Sequence, residues 1–295
     1  MKALASVKPF IFLTVPLLVE KVFRSKVIPT LRKPVMRILL SIPGVRRIIL
    51  NKVRSKIIDT FGGNLAKAGF FIGGAAISKD VDKVMKRIRI PYAVGYGMTE
   101  CAPIITYDDW KEEKLYSCGK AAPNMEVRIA SPDPVNVPGE IQIKGANVFL
   151  GYYKNEEATA EVFTEDGWFR TGDMGILDEE GCLFIKGRTK CMILGPSGQN
   201  IYPEEVETVL NSQPYVVDSL VIEDNGGLTA LIYPDFFQGT KDGIRQRDFQ
   251  NYFDGVLAEI NKELPNYAKL KKIEVMSEDF ERTPKKSIKR YLYQR

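Results

Sequence analysis

The stretch from Asp166 to Lys190 constrains the fold more than any other part of the chain. Met174-Gly-Ile-Leu177 and Cys182-Leu-Phe-Ile185 flank an acidic turn closed by Gly181, and this pattern predicts a β-hairpin. One end carries Asp166-Gly-Trp-Phe-Arg-Thr-Gly-Asp173, the other Ile185-Lys-Gly-Arg-Thr-Lys190. Asp173 follows a Thr-Gly turn, where a carboxylate either accepts two hydrogen bonds from the vicinal hydroxyls of a ribose or stabilises its own turn. Arg188 offers a planar, permanently charged donor to ribose or phosphate. Lys190 stands where the hairpin gives way to a different texture, which suits a hinge.

Histidine is absent from all 295 residues. Ser/His/Asp and Cys/His nucleophile systems and most transition-metal sites are thereby excluded. Chemistry is left to carboxylates, lysines, hydroxyls, backbone amides and a hard cation such as Mg2+. Attack of a carboxylate on a phosphate suits that repertoire, because the nucleophile is already ionised. Cys101, Cys118, Cys182 and Cys191 are scattered without a metal or disulfide spacing, which fits a reducing, cytoplasmic setting.

The net charge of +5 is unevenly spread: residues 21–56 hold eleven Lys/Arg and no acid. This run reads as a solvated helix face, as a face packed on a partner segment, or as a surface attracted to an anionic membrane or acyl substrate. Phe10 to Val19 is apolar but interrupted by Pro16 and well short of the roughly 20 residues that span a bilayer. No signal-peptide layout, internal repeat or nucleic-acid partner is expected.

Residues 10–60 read as helical pieces broken at Pro29, Pro34 and Pro43. Ala68 to Ala76 reads as a buried strand entering a glycine turn, followed by a helix over 78–88 capped by Ser78. A short strand at 92–95 leads into Tyr96-Gly-Met-Thr-Glu100, placing polar residues just past strand ends, where open parallel sheets bind ligands. From Cys118 to Phe149 short β runs predict a small barrel or antiparallel layer. Beyond Lys190 come a helix opening at Tyr202-Pro203, a hairpin around Asn225-Gly-Gly227, an amphipathic helix over 247–264 and a strand over 272–276. That succession makes a compact α+β unit large enough for its own core.

Gly73 and Gly74 permit close approach of a flat ligand, although a Gly-Gly-Ala75 turn equally serves tight turning alone. Tyr96 offers a face for a base, Thr99 a hydroxyl for phosphate and Glu100 an oxygen ligand for Mg2+; a capped helix start or a satisfied buried carboxylate is the other reading. Residues 281–290 form a basic segment that reaches a phosphate or is merely solvated.

Taken in order, Gly-Gly-Ala, Tyr-Gly-Met-Thr-Glu, Trp-Phe-Arg-Thr-Gly-Asp, Gly-Arg-Thr-Lys, Gln199-Asn-Ile-Tyr-Pro-Glu-Glu-Val-Glu207 and Thr283-Pro-Lys-Lys-Ser-Ile-Lys-Arg290 resemble the adenylate-forming superfamily. Within it the chain looks most like the acyl-CoA synthetases that act on long-chain fatty acids. The resemblance runs from about Pro9 to Arg290. It implies ATP, Mg2+ and coenzyme A, a fatty or other carboxylic acid as substrate, and an acyl-AMP intermediate. Gly73, Gly74, Ala75, Gly95, Tyr96, Gly97 and Met98 would line the adenine and acyl pocket. Thr99 would hold phosphate, Glu100 the Mg2+ and Asp173 the ribose with help from Arg188, and Lys190 would be the pivot. The implied fold is α/β: part of a large domain, residues 1–189, comprising an α/β sheet and a small β subdomain, then a mobile α+β lid, residues 190–295.

Two departures accompany it. The family's Ser/Thr/Gly-rich phosphate loop has no match in residues 1–95, so the chain reads as the carboxyl-terminal portion of a longer enzyme, weak or inactive alone, with a missing amino-terminal half as an expected partner. The family's catalytic lysine precedes an Ile-x-Arg triplet; here Ser287 precedes Ile288-Lys-Arg290, and the adjacent Lys286 becomes the candidate. Other readings are an adenylation unit that loads a carrier protein and a non-catalytic nucleotide-binding remnant or subunit. Peripheral membrane contact stays open.

Overall fold

The computed structural model describes residues 2–61, 63–66, 69–195, 198–283 and 287–295. The chain divides into two compact units, residues 1–185 and 186–295. The first opens with α1 (Lys2–Val7), β1 (Ile11–Thr14), α2 (Pro16–Val22), α3 (Ile28–Arg32), α4 (Pro34–Ser41) and α5 (Pro43–Thr60). Each helix from α2 to α5 has proline in its first two positions, where the missing N–H would have no intrahelical partner anyway. Lys33 and Ile42, the residues before Pro34 and Pro43, are extended and end the preceding helices.

Two expectations for this region are corrected. Pro29 does not break the chain: a π-helical turn over Phe23–Val27 carries Ile28 N–H to Phe23 O, so the ladder has already widened where the Pro29 donor is lacking. Residues 11–14 are a strand rather than helix, because the aromatic and branched run Ile11-Phe-Leu-Thr14 finds a parallel partner. That partner is β2 (Gly69–Ile72), followed by α6 (Lys79–Arg87) and β3 (Tyr92–Val94).

β1, β2 and β3 form a parallel sheet in that order, with Thr14 opposite Ile72 and Ile72 opposite Val94. Phe12, Phe61 and Phe70 meet in a cluster, Phe61 and Phe70 edge to face at 4.9 Å, and Val19, Phe23, Val81 and Met85 extend this core under the helices. Ser78 does stand at the N-cap of α6, but its hydroxyl makes no cap; Glu20 Oε1 instead accepts the Ser78 N–H at 2.7 Å.

The chain then turns antiparallel. β4 (Tyr96–Gly97), β5 (Ile104–Tyr107) and β6 (Lys120–Ala121) make one sheet. β7 (Met125–Ala130), β8 (Gly139–Gly145), α7 (Glu156–Val162), β9 (Phe169–Leu177) and β10 (Leu183–Arg188) follow, and the strands order as β10-β9-β8-β7 in a second sheet. The β9–β10 turn is closed as its sequence predicts: Gly181 has φ +81° and donates to Asp178 O at 2.9 Å, and Asp178 N–H reaches Cys182 O at 3.0 Å.

The second unit contains β11 (Ile193–Leu194), β12 (Asn200–Ile201), α8 (Pro203–Leu210), β13 (Val216–Asp224), β14 (Gly227–Pro234), α9 (Phe236–Lys241), α10 (Phe249–Glu263) and β15 (Leu270–Val275). β13 and β14 pair antiparallel around Asn225 (φ 51°) and Gly226 (φ 70°), the paired positive angles of a two-residue type I′ turn. β15 pairs in parallel with β14 after the crossover through α10. Phe249, Phe253 and Ile260 of α10 pack with Val206 and Leu210 of α8 over Ala230 and Ile232. Among the described residues no helix is long and apolar enough to cross a membrane.

Gly226 tests the turn directly. A β-carbon at φ 70° is disfavoured by about 1–2 kcal/mol. Gly226→Ala should therefore lower the unfolding free energy of the second unit by that amount, read in urea as a lower midpoint at an unchanged slope.

Candidate functional site

The parallel sheet positions the first group of candidate residues. Gly73 N–H donates to Thr14 O at 3.1 Å and Gly95 N–H to Ile72 O at 2.9 Å, extending the ladder one residue past each strand. The Gly73-Gly74-Ala75 turn and the start of Tyr-Gly-Met-Thr-Glu thus lie side by side at the carboxyl ends of the strands, the position at which open sheets bind ligands. Gly74 has φ +85°, and Gly74 and Ala75 are exposed. Glycine is required at 97, where a β-carbon would run into the Pro103 backbone; at 95 a β-carbon would lie 2.7 Å from the tip of the Phe71 ring, which would have to shift.

Tyr96 links this strand-end region to the motif around Asp173. Its ring belongs to the core formed with Ile105, Ile141 and Phe169, and its hydroxyl donates to Asp173 Oδ2 at 2.7 Å, bridging 77 positions of sequence. Tyr96 is only 8% exposed and Asp173 6%. The open stacking face expected of Tyr96 is therefore mostly consumed by packing, and its polar end orients the aspartate. Burial, then the negative charge of Asp173, push the phenol far above its ordinary pKa, which keeps it a donor. On β9 the Asp173 N–H donates to Thr171 Oγ1 at 3.1 Å, and the Thr171 hydroxyl donates to Ile141 O at 2.8 Å.

Thr99 and Glu100 sit in a 3-10 turn, Thr99–Cys101, that the loop after β8 holds from outside. Asn147 Nδ2 donates to Cys101 O at 2.6 Å and Ile104 O at 3.1 Å, Phe149 N–H donates to Glu100 O at 2.8 Å, and Tyr152 O–H reaches Glu100 Oε1 at 3.2 Å. Met98 N–H donates to Pro103 O at 2.8 Å, fixing the entry to the turn, and Thr99 is exposed. Asn147 and Tyr152 went unnoticed in the sequence; the aromatic, polar run after a strand was a signal, but nothing local paired it with residues some 50 positions earlier.

The described residues contain no group of three or more His, Cys, Asp or Glu able to hold a metal ion. A single half-buried carboxylate, with one oxygen engaged by a tyrosine hydroxyl, fits Mg2+, which is bound through one or two carboxylates together with substrate phosphates.

Other charges of the leading motifs are structural. Arg128 grips Asp166 through two bonds, at 2.6 and 3.1 Å, while its guanidinium lies 4.4 Å from the Trp168 ring. Arg170 pairs with Glu140 at 3.2 Å. Behind β3, Glu113 is 2% exposed; its Oε2 accepts the Val94 N–H and its Oε1 has no partner among the described residues. Burial pushes this carboxyl up to about 8, with neighbouring Asp82 adding to the effect.

In the second unit Arg188 ends β10 and Lys190 lies in the turn Thr189–Cys191, both exposed. Lys186 pairs with Glu205 at 2.9 Å. Lys286, with Pro284 and Lys285, lies outside the described residues. On either side of them Thr283 N–H donates to Ser287 O at 2.8 Å and Lys289 N–H to Glu281 O at 2.9 Å. Arg290 of the closing triplet bonds Glu207 of α8, whose other oxygen accepts the Val221 N–H at 2.7 Å. Burial still outweighs the guanidinium and pushes Glu207 up to about 7.

A parallel sheet whose strand ends carry two glycine turns and lead to a Thr-Glu turn, antiparallel sheets that hold a buried aspartate, and a separate α+β unit are the parts of an adenylate-forming enzyme. The chain belongs to the AMP-binding enzyme family: residues 1–153 match the model of the AMP-binding enzyme, and residues 192–295 match that of the AMP-binding enzyme C-terminal domain. It is 30% identical over 264 residues to the long-chain-fatty-acid–CoA ligase FadD15 of Mycobacterium bovis, covering 83% of this chain and 42% of that protein. The fold matches ATP-bound MatB from Rhodopseudomonas palustris with a TM-score of 0.67 at 24% identity, over 96% of this chain and 50% of that one. It also matches the O-succinylbenzoate coenzyme A synthetase MenE of Bacillus subtilis in complex with ATP and magnesium, with a TM-score of 0.62 at 29% identity, over 75% of this chain and 45% of that one. The chain thus spans half or less of the length of these relatives.

Two outcomes are expected. Tyr96→Phe removes a donor from a buried carboxylate and should cost about 1.5–3 kcal/mol in chemical denaturation. Glu113 has a folded pKa raised from 4.5 to about 8, so its stabilising contribution is complete below pH 4.5 and is lost as pH rises through about 8. Thermal melts between pH 5 and 9 should show this decline, and Glu113→Gln should flatten it.

Proposed function

We propose that this chain carries the ribose- and phosphate-binding part of an ATP-dependent acyl-CoA ligase, with a long-chain fatty acid as the preferred carboxylate. The observation that carries the reading is the Tyr96–Asp173 hydrogen bond, which ties a buried carboxylate to the residue that follows the strand-end Gly95. In this reading Asp173 accepts the ribose hydroxyls while Tyr96 holds it in place, and Arg188 supplements that grip. Gly73, Gly74, Ala75, Gly95, Gly97 and Met98 line the adenine and acyl pocket. Thr99 donates to phosphate. Glu100 is the protein ligand for Mg2+, which when bound neutralises charge on the phosphates. Lys190 is the pivot between half-reactions, and Lys286 donates to the reacting groups during adenylation.

The chemistry is a displacement followed by a transfer. The substrate carboxylate oxygen attacks the α-phosphorus of ATP, the bond to the β-phosphate oxygen breaks, and pyrophosphate leaves. The thiolate sulfur of coenzyme A then attacks the acyl carbonyl and AMP leaves. Neither step requires histidine, since orientation and charge stabilisation carry the rate. FadD15 is named for long-chain fatty acids and MenE for O-succinylbenzoate; the fatty-acid choice follows FadD15, whose match covers the larger share of this chain.

The test is AMP binding by titration calorimetry together with ATP–pyrophosphate exchange over a panel of carboxylic acids, run on the chain alone and joined to the phosphate-loop segment of a relative. Loss of the ribose bonds in Asp173→Ala should weaken AMP about 10- to 100-fold, in line with about 1.5–3 kcal/mol for hydrogen bonds to a charged group. AMP binding that is indifferent to Asp173 would sink the assignment. Exchange that prefers short or aromatic acids would remove the fatty-acid choice and leave the ligase reading standing.

A further inference from the structure

Behind the parallel sheet a buried carboxyl holds the strand that leads into the site. β3 is the last strand in the order β1-β2-β3, so its amides that face away from β2 need another acceptor. Glu113, in the loop from β5 to β6, supplies one: its Oε2 accepts the Val94 N–H at 3.4 Å. The loop is pinned at this contact. Lys86 of α6 donates its amine to the Glu113 carbonyl oxygen, and the next residue, Lys114, pairs with Asp178 at 2.7 Å and Glu180 at 2.9 Å on the β9–β10 turn.

Two acids share this pocket on unequal terms. Asp82 of α6, 1% exposed, accepts the Tyr92 O–H and, at 2.8 Å, the Tyr116 N–H. Glu113 has the Val94 donor alone, and its Oε1 has no partner among the described residues. The groups around the two acids are Lys86, Tyr92, Asp108, Tyr116 and Cys118, and the Lys86 ammonium is spent on a carbonyl oxygen. An anion at Glu113 would be buried beside Asp82 with one long hydrogen bond, whereas the neutral acid keeps the Val94 contact at far lower cost. The carboxyl accordingly keeps its proton up to about 8. Neither acid reaches the surface, so this pocket does not depend on what covers the first unit.

What Glu113 holds is the approach to the site. Val94 is followed by Gly95, whose N–H bonds Ile72 O at 2.9 Å, and by Tyr96, whose hydroxyl bonds Asp173. We propose that Glu113, as the neutral acid, is a positioning residue for the nucleotide site, fixing the end of β3 and, through Tyr96, the place of Asp173. Loss of its proton draws the carboxylate toward water and frees the Val94 amide. The hold is complete at low pH and is lost as pH rises through about 8. In the nucleotide reading of Asp173, on which this role rests, AMP binds the fixed form, and its affinity falls with the fraction of that form, about tenfold by pH 9.

The experiment combines amide exchange by NMR on the full chain without nucleotide and AMP titration calorimetry, both from pH 7 to pH 9. At pH 9 the Val94, Gly95 and Tyr96 amides should have lost their protection while Ile141 and Ile143 of β8 keep theirs. Glu113→Gln, which mimics the neutral acid, should stay protected at pH 9 and bind AMP as tightly there as at pH 7, where it should match the wild type. Protection kept by the wild type at pH 9, lost equally in Glu113→Gln, or lost at Ile141 and Ile143 as well would overturn the proposal. So would wild-type AMP affinity unchanged at pH 9. The wild-type series decides the matter by itself should Glu113→Gln fold poorly. Asp173→Ala keeps the two readings apart: AMP binding indifferent to it sinks the nucleotide site, while exchange at Val94, measured without nucleotide, still tests the hold of Glu113 on the strand.

Discussion

A phenol donating to a buried carboxylate organises the first unit. Burying Asp173 and the Tyr96 hydroxyl separately would cost several kcal/mol each way; bonded to each other, they satisfy part of that demand and tie two sheets together. The consequence is functional geometry. β4 continues directly from β3, so a bond made by Tyr96 fixes where Asp173 stands relative to the strand-end glycine turns.

Around that bond, backbone contacts do most of the positioning. Gly97 admits the Pro103 carbonyl where any side chain would clash, and Asn147 and Phe149 hold the Thr99–Cys101 turn through its carbonyl oxygens. The exposed ion pairs of the neighbourhood, Arg128 with Asp166 and Arg170 with Glu140, contribute shape more than energy, since exposed pairs are worth about 0–1 kcal/mol. In the second unit the Glu207–Arg290 pair is different in kind. It anchors the end of the chain to α8 at the expense of burying an acid, whose raised pKa records that cost.

The two surfaces of the first unit separate by chemistry. Strand ends with glycine turns and a single accessible carboxylate suit a phosphorylated ligand. The helical face sets exposed arginines beside aliphatic lining.

Local chemistry was readable from the sequence wherever a few adjacent residues decide the backbone. Asn225-Gly-Gly227 marked a hairpin, Gly181 closed the β9–β10 hairpin, and Pro34 and Pro43 marked breaks between helical pieces, because each restricts φ or removes a donor within one turn of chain. The motif order carried the family for the same reason, since its residues are contiguous. Only the tertiary structure decided that Ile11–Thr14 is a strand, that Pro29 passes without a break, that Ser78 leaves capping to Glu20 and that Tyr96 gives its ring to the core. It alone joined Tyr96 to Asp173 and Tyr152 to Glu100. Apart from Pro29, which a π-helical turn five residues long accommodates, those outcomes depend on contacts made at long range, up to 77 positions away, and the free energy of such a contact is set by burial and by the donors still unsatisfied when the sheets close, neither of which a local run of residues contains.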